Sequence, residues 1–234
     1  MRALIALLLL WPSLVMAEVL KMASLEWPPY AGAELPGQGT FISTVRAALK
    51  TQGHQLEVTF LPWQRTVLLV KQGTGYLAYG PEYSDPKRDK LFYVSDRVGH
   101  GPLGIAYRKA SPLFWRQLSD LYAFHIGVVR DYVNTPAFDD AVAAGLQKVD
   151  LADSDRQNLL KLVFGRVDGV VVDSAVLDYW LGHDKKLKAH KDELTMGPQL
   201  LADKGLFLNF RRSEEGRRWQ AILNKGLKAL HSSG

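Results

Sequence analysis

The hydrophobic pattern after residue 18 changes repeatedly between a period of two and a period of about 3.6, which predicts alternating strands and helices. Apolar residues between positions 41 and 49 share one helical face. Thr40 can cap the start of that helix, and Gly53 suits a left-handed C-terminal cap. The predicted elements of the first half are strands at 19–23, 56–60 and 77–80 and helices at 40–52 and 64–71.

The second half repeats this order of elements. Pro136 stands at a first helical position after Thr135, and Gly165 ends the helix that Ser154 begins. The predicted elements are strands at 126–129, 167–172 and 206–210, helices that begin near 135, 154 and 174, and a terminal helix that contains 219–230. This alternation favours parallel sheets covered by helices. No polar linker separates the halves, so a hinge is expected in extended strands that cross between them.

The composition allows a sizeable core and excludes several kinds of site. The 234 residues are 47% hydrophobic and include no cysteine, which excludes disulfides, thiolate zinc sites, cysteine nucleophiles and a lipidated cysteine. The six histidines lack the spacing of metal ligands, and we expect neither a metal nor a cofactor. The formal charge of +5 is spread along the chain. Its densest basic stretch, 211–218, has no interleaved aromatic residues, so nucleic acid is not an expected partner.

The first 17 residues have the pattern of a secretory signal peptide. Arg2 supplies the positive start, residues 3–10 are apolar, and residues 15–17 match a cleavage site of the small-residue type. The apolar run is too short to span a bilayer core of about 30 Å. We therefore expect cleavage near Ala17 and Glu18 and a mature protein in the periplasm. Retention of the segment as an N-terminal anchor is the alternative.

Several short motifs occur in the order that one protein family shows. They are Trp27-Pro28-Pro29-Tyr30, Pro62-Trp63, residues 84–88 and 93–95, residues 118–121 before 126–128, residues 165–169 with Asp173 beyond, Gly197-Pro198, and residues 205–210. No single motif is specific. Their order and spacing over residues 19–230 resemble the periplasmic solute-binding proteins of polar amino-acid transporters, the bacterial extracellular solute-binding protein family 3.

The resemblance implies an α/β fold of the type II clamshell kind, with two lobes that each contain a mostly parallel sheet flanked by helices. Lobe 1 would comprise residues 18–106 and 200–234, lobe 2 would comprise residues 107–199, and the crossing strands would lie near Tyr107 and Gln199. We expect a monomer that captures a small-molecule ligand, an amino acid or a related carboxylate, with a membrane ABC permease as its partner.

Arg88 and Asp173 are the candidates for recognising the charges of a ligand. A guanidinium can bind an α-carboxylate through charged hydrogen bonds worth about 1.5–3 kcal/mol each. Asp173 follows the strand at 167–172, at the end of the sheet where ligands of α/β proteins bind, and can hold an ammonium. Without the resemblance, Arg88 would be interpreted as part of a solvated charged loop. For Asp173, a role as a helix cap explains the sequence as well as a ligand contact does.

The remaining candidates are aromatic and polar residues in loops. Trp27 and Trp63 adjoin prolines rather than periodic apolar faces, and they are interpreted as walls of the ligand site. A hydrophobic staple to a neighbouring helix would explain either one on sequence alone. Tyr83 and Asn134 match positions that reach the ligand in the family, and Tyr132 lies close to them. Ordinary turns suit these residues as well.

Three functions remain open at this stage. The first, which we expect, is a binding protein whose ligand bridges Arg88 and Asp173 and so closes the lobes. The second is an enzyme on the same fold, a dehydratase-like lyase acting on a small carboxylate, with Asp173 or Glu82 as acid or base. No known catalytic motif supports it. The third is a secreted sensor without a transporter, which Thr44 and Tyr76 would permit because the family has acidic residues there.

Overall fold

A computed structural model of the chain describes residues 17–232, and nine strands and eight α-helices alternate within them. The strands are β1 (Val19–Ser24), β2 (Gln55–Phe60), β3 (Ala78–Tyr83), β4 (Phe92–Val94), β5 (Gly99–Arg108), β6 (Ile126–Val129), β7 (Val149–Ala152), β8 (Gly169–Asp173) and β9 (Leu194–Arg211). The helices are α1 (Thr40–Thr51), α2 (Trp63–Gln72), α3 (Pro86–Asp89), α4 (Pro136–Ala143), α5 (Asp155–Val163), α6 (Ser174–His183), α7 (Lys185–Lys188) and α8 (Glu214–Ser232).

One half of the sheet is built from the two ends of the chain. β1 lies between β2 and β3 and is parallel to both, while β9 pairs antiparallel with β3 and with the short β4. The helices α1 and α8 pack against each other on this half, where Ile42 and Val45 of α1 and Trp219 and Leu223 of α8 are buried. We refer to β1–β4 with α1–α3 and α8 as lobe 1.

The other half of the sheet is built from the middle of the chain. β6 lies between β7 and β8 and is parallel to both, and β8 pairs antiparallel with β5. We refer to β6–β8 with α4–α7 as lobe 2. β5 also pairs antiparallel with β9, from Gly99 opposite Leu206 to Arg108 opposite Leu194, so these two strands join the lobes into one continuous sheet. The predicted two-lobed α/β fold is confirmed.

The joining strands are the part of the fold that the hydrophobic pattern did not reveal. The alternation at 206–210 predicts only the end of β9, which begins at Leu194 and also contains Gln199. Exposed and charged residues in the middle of β9 interrupt the period of two. β5, which contains Tyr107, includes three glycines and a proline, residue types that are depleted in strands. Pairing with each other and with β8, β3 and β4, rather than local propensity, makes both segments extended.

The predicted signal segment lies outside the described residues except for Ala17. Cleavage and export therefore stay predictions. Within residues 17–232, none of the helices combines the length and the apolar composition that crossing a bilayer requires.

The close contact of α8 with α1 depends on Gly226. A Cβ atom on Gly226 would lie 2.1 Å from the carbonyl oxygen of Ala48 and 2.6 Å from its carbonyl carbon. Non-bonded atoms do not approach so closely. Gly182 in α6 differs, because a Cβ atom there would have no neighbouring atom within 4 Å. The missing side chain at position 226 is thus a packing requirement of lobe 1.

We expect Gly226→Ala to lower the free energy of unfolding by about 1–3 kcal/mol, because α1 and α8 must move apart to admit the methyl group. Gly182→Ala is the matched control. It should leave stability unchanged or raise it by up to about 1 kcal/mol, since alanine has the higher helix propensity. Urea denaturation followed by circular dichroism measures both variants. Equal effects of the two substitutions would contradict the packing requirement.

Candidate functional site

Segments from both lobes meet where the parallel strands end. β3 ends at Tyr83 and β8 ends at Asp173, while Trp27 and Tyr132 stand a few residues beyond the ends of β1 and β6. Ligands of open α/β sheets bind outside the carboxyl ends of the strands. The cleft between the lobes at this edge of the sheet is therefore the candidate site.

Asp173 lies at the centre of the contact between the lobes and is only 1% exposed. It caps α6, because its Oδ1 accepts hydrogen bonds from the backbone N–H groups of Ala175 at 2.8 Å and Val176 at 3.3 Å. Two hydroxyls of lobe 1 also donate to it, from Tyr30 at 3.0 Å and from Tyr83 at 2.8 Å. Burial raises the pKa of Asp173, although these four donors act to lower it. Asp173 is both a helix cap and an interlobe contact.

The backbone at the start of α1 holds Tyr30 in place. The Phe41 N–H donates to the Tyr30 carbonyl at 3.0 Å, and the Thr40 N–H donates to the Pro29 carbonyl at 3.1 Å. These bonds replace the side-chain cap predicted at Thr40, which is instead the first residue of α1. Gly39 precedes it with φ 100°, and a Cβ atom there would lie 2.4 Å from the Tyr30 carbonyl oxygen. The close approach therefore requires glycine at position 39.

The guanidinium of Arg88 faces the cleft, and its side chain is 22% exposed. Its Nη1 donates to both carboxylate oxygens of Glu82, at 2.9 and 3.1 Å. The Glu82 side chain is almost fully buried, and burial raises its pKa to about 7 although the charge of Arg88 acts to lower it. Burial acts most strongly on the pKa of Arg88 and lowers it, but the charges of Glu82, Tyr79 and Asp85 and the hydrogen bond to Glu82 together leave that pKa raised. Arg88 is thus paired within its own lobe.

Asp131, in the loop after β6, receives three hydrogen bonds from lobe 1. Its carbonyl oxygen accepts from Arg88 Nη2 and from Trp63 Nε1, each at 3.3 Å. Its carboxylate accepts from the side-chain amide of Gln64. The backbone of Asp131 has φ 60°, a left-handed conformation that aspartate adopts more readily than most residues do. Asp131 therefore forms a second interlobe contact, which includes the predicted site residues Arg88 and Trp63.

Asn134 contacts the joining strand β9 through its backbone rather than through its amide. Its side-chain amide and its backbone N–H donate to the carboxylate of Asp139, at 2.8 and 3.0 Å. Its carbonyl oxygen accepts from the ammonium of Lys204, which lies 4.7 Å from the centre of the Tyr83 ring. Burial lowers the pKa of Lys204, whereas the charge of Asp139 acts to raise it. The amide that was expected to reach a ligand is engaged within lobe 2.

Four rings, which we call the aromatic cage, stand around a small space between the lobes: Trp27, Trp63, Tyr83 and Tyr132. Trp27 lies 5.5 Å from Tyr83 and 6.4 Å from Tyr132 between ring centres, at interplanar angles of 87° and 80°. Trp63 lies 6.2 Å from Tyr132 at 83°. These rings line an inner cavity of about 30 Å³ together with Glu82 and three apolar residues, Leu25, Pro81 and Val133. That volume suits a water molecule or an ammonium group and is too small for a whole amino acid.

A larger space, the outer groove, opens on the other side of Trp63 and Tyr132. Its volume is about 410 Å³, and its walls include Glu26 of lobe 1 and Arg130 and Asp153 of lobe 2. The Arg130 and Asp153 side chains are largely exposed, with 3.6 Å between Nε and Oδ1. Ligand pockets usually measure about 300–1,000 Å³. Leu25, Trp63 and Tyr132 line both spaces, so the inner cavity and the outer groove adjoin at these residues.

Asp155, the first residue of α5, places another buried carboxyl group beside the cage. Burial raises its pKa to about 7, and the charge of Asp173 contributes, while the Trp27 indole N–H and the Tyr132 hydroxyl act to lower it. Trp27 Nε1 makes no hydrogen bond of ordinary geometry, so its effect on Asp155 is mainly that of a nearby dipole. Among the ion pairs of residues 17–232, none includes Asp155 or Asp173.

The structure brings six of the seven predicted side chains to the cleft: Trp27, Trp63, Tyr83, Arg88, Tyr132 and Asp173. Their contact with a ligand stays a prediction. Sequence reasoning did not select Tyr30, Asp131 or Asp155 for the site. Tyr30 had a signal, since it ends the Trp27-Pro28-Pro29-Tyr30 motif, whereas Asp155 has the pattern of an ordinary acidic residue in a first helical turn. Within residues 17–232 no group of three or more histidine and acidic side chains is placed to hold a metal ion.

Comparisons with known proteins identify the fold. No protein-family model and no curated protein sequence matches the chain. Among solved structures, a histidine kinase sensor domain with similarity to periplasmic binding proteins has a TM-score of 0.79, at 18% identity over 92% of this chain and 91% of that chain. The substrate-binding protein of an amino acid ABC transporter has a TM-score of 0.72, at 18% identity over 92% and 94%. An ancestral amino acid-binding protein, a precursor of cyclohexadienyl dehydratase, has a TM-score of 0.70, at 18% identity over 92% and 89%.

We expect Asp155→Asn to weaken the dependence of stability on pH. An aspartate in the unfolded chain titrates near pH ~3.9, whereas burial raises the pKa of Asp155 to about 7 in the folded protein. The folded state therefore binds this proton more tightly. The resulting stability is fully present below pH ~4 and is lost as the pH rises toward 7, by at most about 1.4 kcal/mol per pH unit.

Urea denaturation at several pH values between 4.5 and 8 measures this effect. The wild type should lose more stability over the range than Asp155→Asn, because the amide does not titrate. The pKa of Glu82 is also raised, so this residue should leave the variant with some remaining dependence of stability on pH. Asp192→Asn, a change of the same kind at an exposed position, is the control and should follow the wild type. Parallel curves for wild type and Asp155→Asn would overturn the assignment.

Proposed function

We propose that this protein is an extracytoplasmic solute-binding protein that captures a small polar ligand between its two lobes. The observation that carries the proposal is the set of hydrogen bonds across the cleft, from Tyr30 and Tyr83 to Asp173 and from Arg88 and Trp63 to Asp131. These contacts exist only when the lobes are close together. A ligand that binds the closed form better than the open form shifts this equilibrium. The proposed lobe 1 comprises residues 18–106 and 200–234, and the proposed lobe 2 comprises residues 107–199.

The proposed ligand is an amino acid or a related small compound that carries an ammonium or a carboxylate group. Arg88 and Asp173, the predicted contacts for these groups, both lie at the cleft but have protein partners in the closed form. The inner cavity of about 30 Å³ is too small for an amino acid, so the lobes must separate before one can enter. A ligand that bridges Arg88 and Asp173 would have to displace Glu82 from the first residue and tyrosine hydroxyls from the second.

Delivery to an ABC-type permease after export is the use that we propose for the captured ligand. The similarity to the substrate-binding protein of an amino acid ABC transporter supports this use. The similarity to a histidine kinase sensor domain supports a second use, in which a partner protein recognises the closed form and no ligand is transported. Capture by lobe closure is common to both.

A lyase on the same fold is the second candidate function. Burial raises the pKa values of Glu82 and Asp155 to about 7, which is the range suited to a general acid or base at neutral pH. One structurally similar protein is a precursor of cyclohexadienyl dehydratase. Chemical conversion of a bound carboxylate would favour this function, whereas a bound ligand that stays intact favours the binding protein.

We expect a panel of amino acids, amines and small carboxylates to contain at least one compound that closes the lobes. Because the chain has no cysteine, Lys87→Cys and Asp140→Cys can be labelled selectively with pyrene. The native side chains form an ion pair between the lobes, at 3.5 Å. Excimer emission should therefore rise with closure, while tryptophan fluorescence reports on Trp27 and Trp63. The absence of a saturable response to every compound would count against capture by closure.

Asp173→Asn should weaken the binding of the responding compound by about 10–100-fold, because the variant loses a buried charge that interacts with the cleft. Asp178→Asn, an exposed change in the same helix, is the control and should bind as the wild type does. Nuclear magnetic resonance of the ligand after incubation reveals turnover, which would assign the protein to the lyases instead.

A further inference from the structure

We propose that the inner cavity is a binding cage for the ammonium group of a cationic amine, and that the ligand needs no carboxylate. This inference rests on the proposed capture of a ligand between the lobes and specifies the chemistry of that ligand. It assigns the ammonium to Trp27, Trp63, Tyr83, Tyr132 and Glu82, and it assigns no ligand group to Arg88.

The arrangement of the rings suits a cation. Consecutive rings of the aromatic cage meet at 80° to 87°, as adjacent walls of a box do, so the cavity has ring walls in different orientations. The face of an aromatic ring attracts a cation that lies within about 6 Å of its centre. Lys204 already makes such a contact with Tyr83, at 4.7 Å, and Arg88 makes one with Trp63, at 5.9 Å. Two of the four cage rings therefore already contact cationic side chains of the protein.

The charges around the cage also favour a cation. Arg88 pairs with Glu82, and Lys204 interacts with the charge of Asp139 and donates to the Asn134 carbonyl. Arg88 is thus ion-paired, whereas Lys204 forms no ion pair among the described residues and donates a hydrogen bond to a backbone carbonyl. Asp155 and Asp173 remain, and the charge of Asp173 contributes to the raised pKa of Asp155. An added positive charge would relieve this repulsion, whereas an added negative charge would increase it.

A ligand carboxylate would have to displace Glu82, whose side chain is 4% exposed, in order to reach Arg88. Glu82 would then be a buried carboxylate without its cation, which is strongly unfavourable. Lys204, the other cation of the cleft, already donates to the Asn134 carbonyl and contacts the Tyr83 ring. Family resemblance predicts a carboxylate contact at Arg88, but the pairing with Glu82 points to a different ligand for this chain.

The dimensions indicate how such an amine would lie. The inner cavity, about 30 Å³, accommodates the ammonium group alone. The outer groove, about 410 Å³, can hold the rest of the molecule, and Trp63 and Tyr132 line both spaces. The proposed ligand is therefore an elongated primary amine with its head in the cage and its body in the groove.

Matched pairs of compounds that differ only by the α-carboxylate test the ligand class on the wild-type protein. The pairs are agmatine with arginine, and 1,5-diaminopentane with lysine. In isothermal titration calorimetry at pH 7.5, we expect the amine of at least one pair to bind at least tenfold more tightly than its amino acid. Equal or tighter binding of the amino acids, or binding of carboxylates alone, would overturn the amine proposal while supporting capture. No response to any compound in the whole panel would instead count against capture itself.

The variant Glu82→Gln distinguishes an ammonium contact at Glu82 from a carboxylate contact at Arg88. The variant should bind the amine at least tenfold more weakly and the matched amino acid more tightly, because the cage loses its carboxylate and Arg88 loses its partner. Glu57→Gln, the same change at an exposed position of β2, is the control and should retain the wild-type preference. Unchanged amine binding in Glu82→Gln would overturn the assignment. Should circular dichroism show that this variant is unfolded, Trp63→Leu replaces it, with the same required loss of amine affinity.

Discussion

A carboxylate that is almost completely removed from water requires hydrogen-bond donors on all sides, and Asp173 obtains them from both lobes. The start of α6 supplies two N–H donors and lobe 1 supplies two tyrosine hydroxyls. Lobe 2 alone therefore satisfies only part of this group. If the lobes separate, water must take the place of Tyr30 and Tyr83. The hydration of Asp173 is thus coupled directly to the opening of the cleft.

The second constraint is the sign of the charge that the cleft encloses. Glu82, Asp155 and Asp173 are all buried, and the pKa of each is raised chiefly by that burial. Raised carboxyl pKa values mean that these groups hold protons more tightly in the folded protein than they do in the unfolded chain. Folding is therefore linked to proton uptake at these three carboxyl groups. The proposed ammonium ligand would supply positive charge to the same region.

The sequence was informative where one segment determines its own structure. The helical face of α1, the Pro136 start of α4 and the Gly165 end of α5 follow from local patterns, and the elements formed as predicted. The order of motifs also placed Trp27 and Asp173 at one edge of the sheet. The strands that join the lobes were not visible in the pattern, because β5 and β9 are extended through pairing with each other and with β8, β3 and β4 rather than through local propensity.

The partners of the predicted residues were even less visible. Glu82 stands only six positions before Arg88, but no local pattern shows that the two side chains pair. Nothing near Asp173 shows that the hydroxyl of Tyr30, 143 positions away, donates to it. Asp155 has the ordinary pattern of a helix start. Its burial follows only from the way α5 packs toward the cage. Residue types were therefore predictable, whereas the charge balance of the cleft was not.

Contacts that close the cleft without a ligand determine how a ligand can act. A ligand shifts the equilibrium only by the difference between its affinities for the closed and the open forms. Any group that competes with Tyr30, Tyr83 or Glu82 for their present partners must first replace hydrogen bonds that the protein already makes, and this lowers its apparent affinity. The proposed ammonium would enter the inner cavity without displacing the hydroxyls of Tyr30 and Tyr83 from Asp173. In the proposed function, selection among ligands therefore depends on which hydrogen bonds of the protein a ligand must replace.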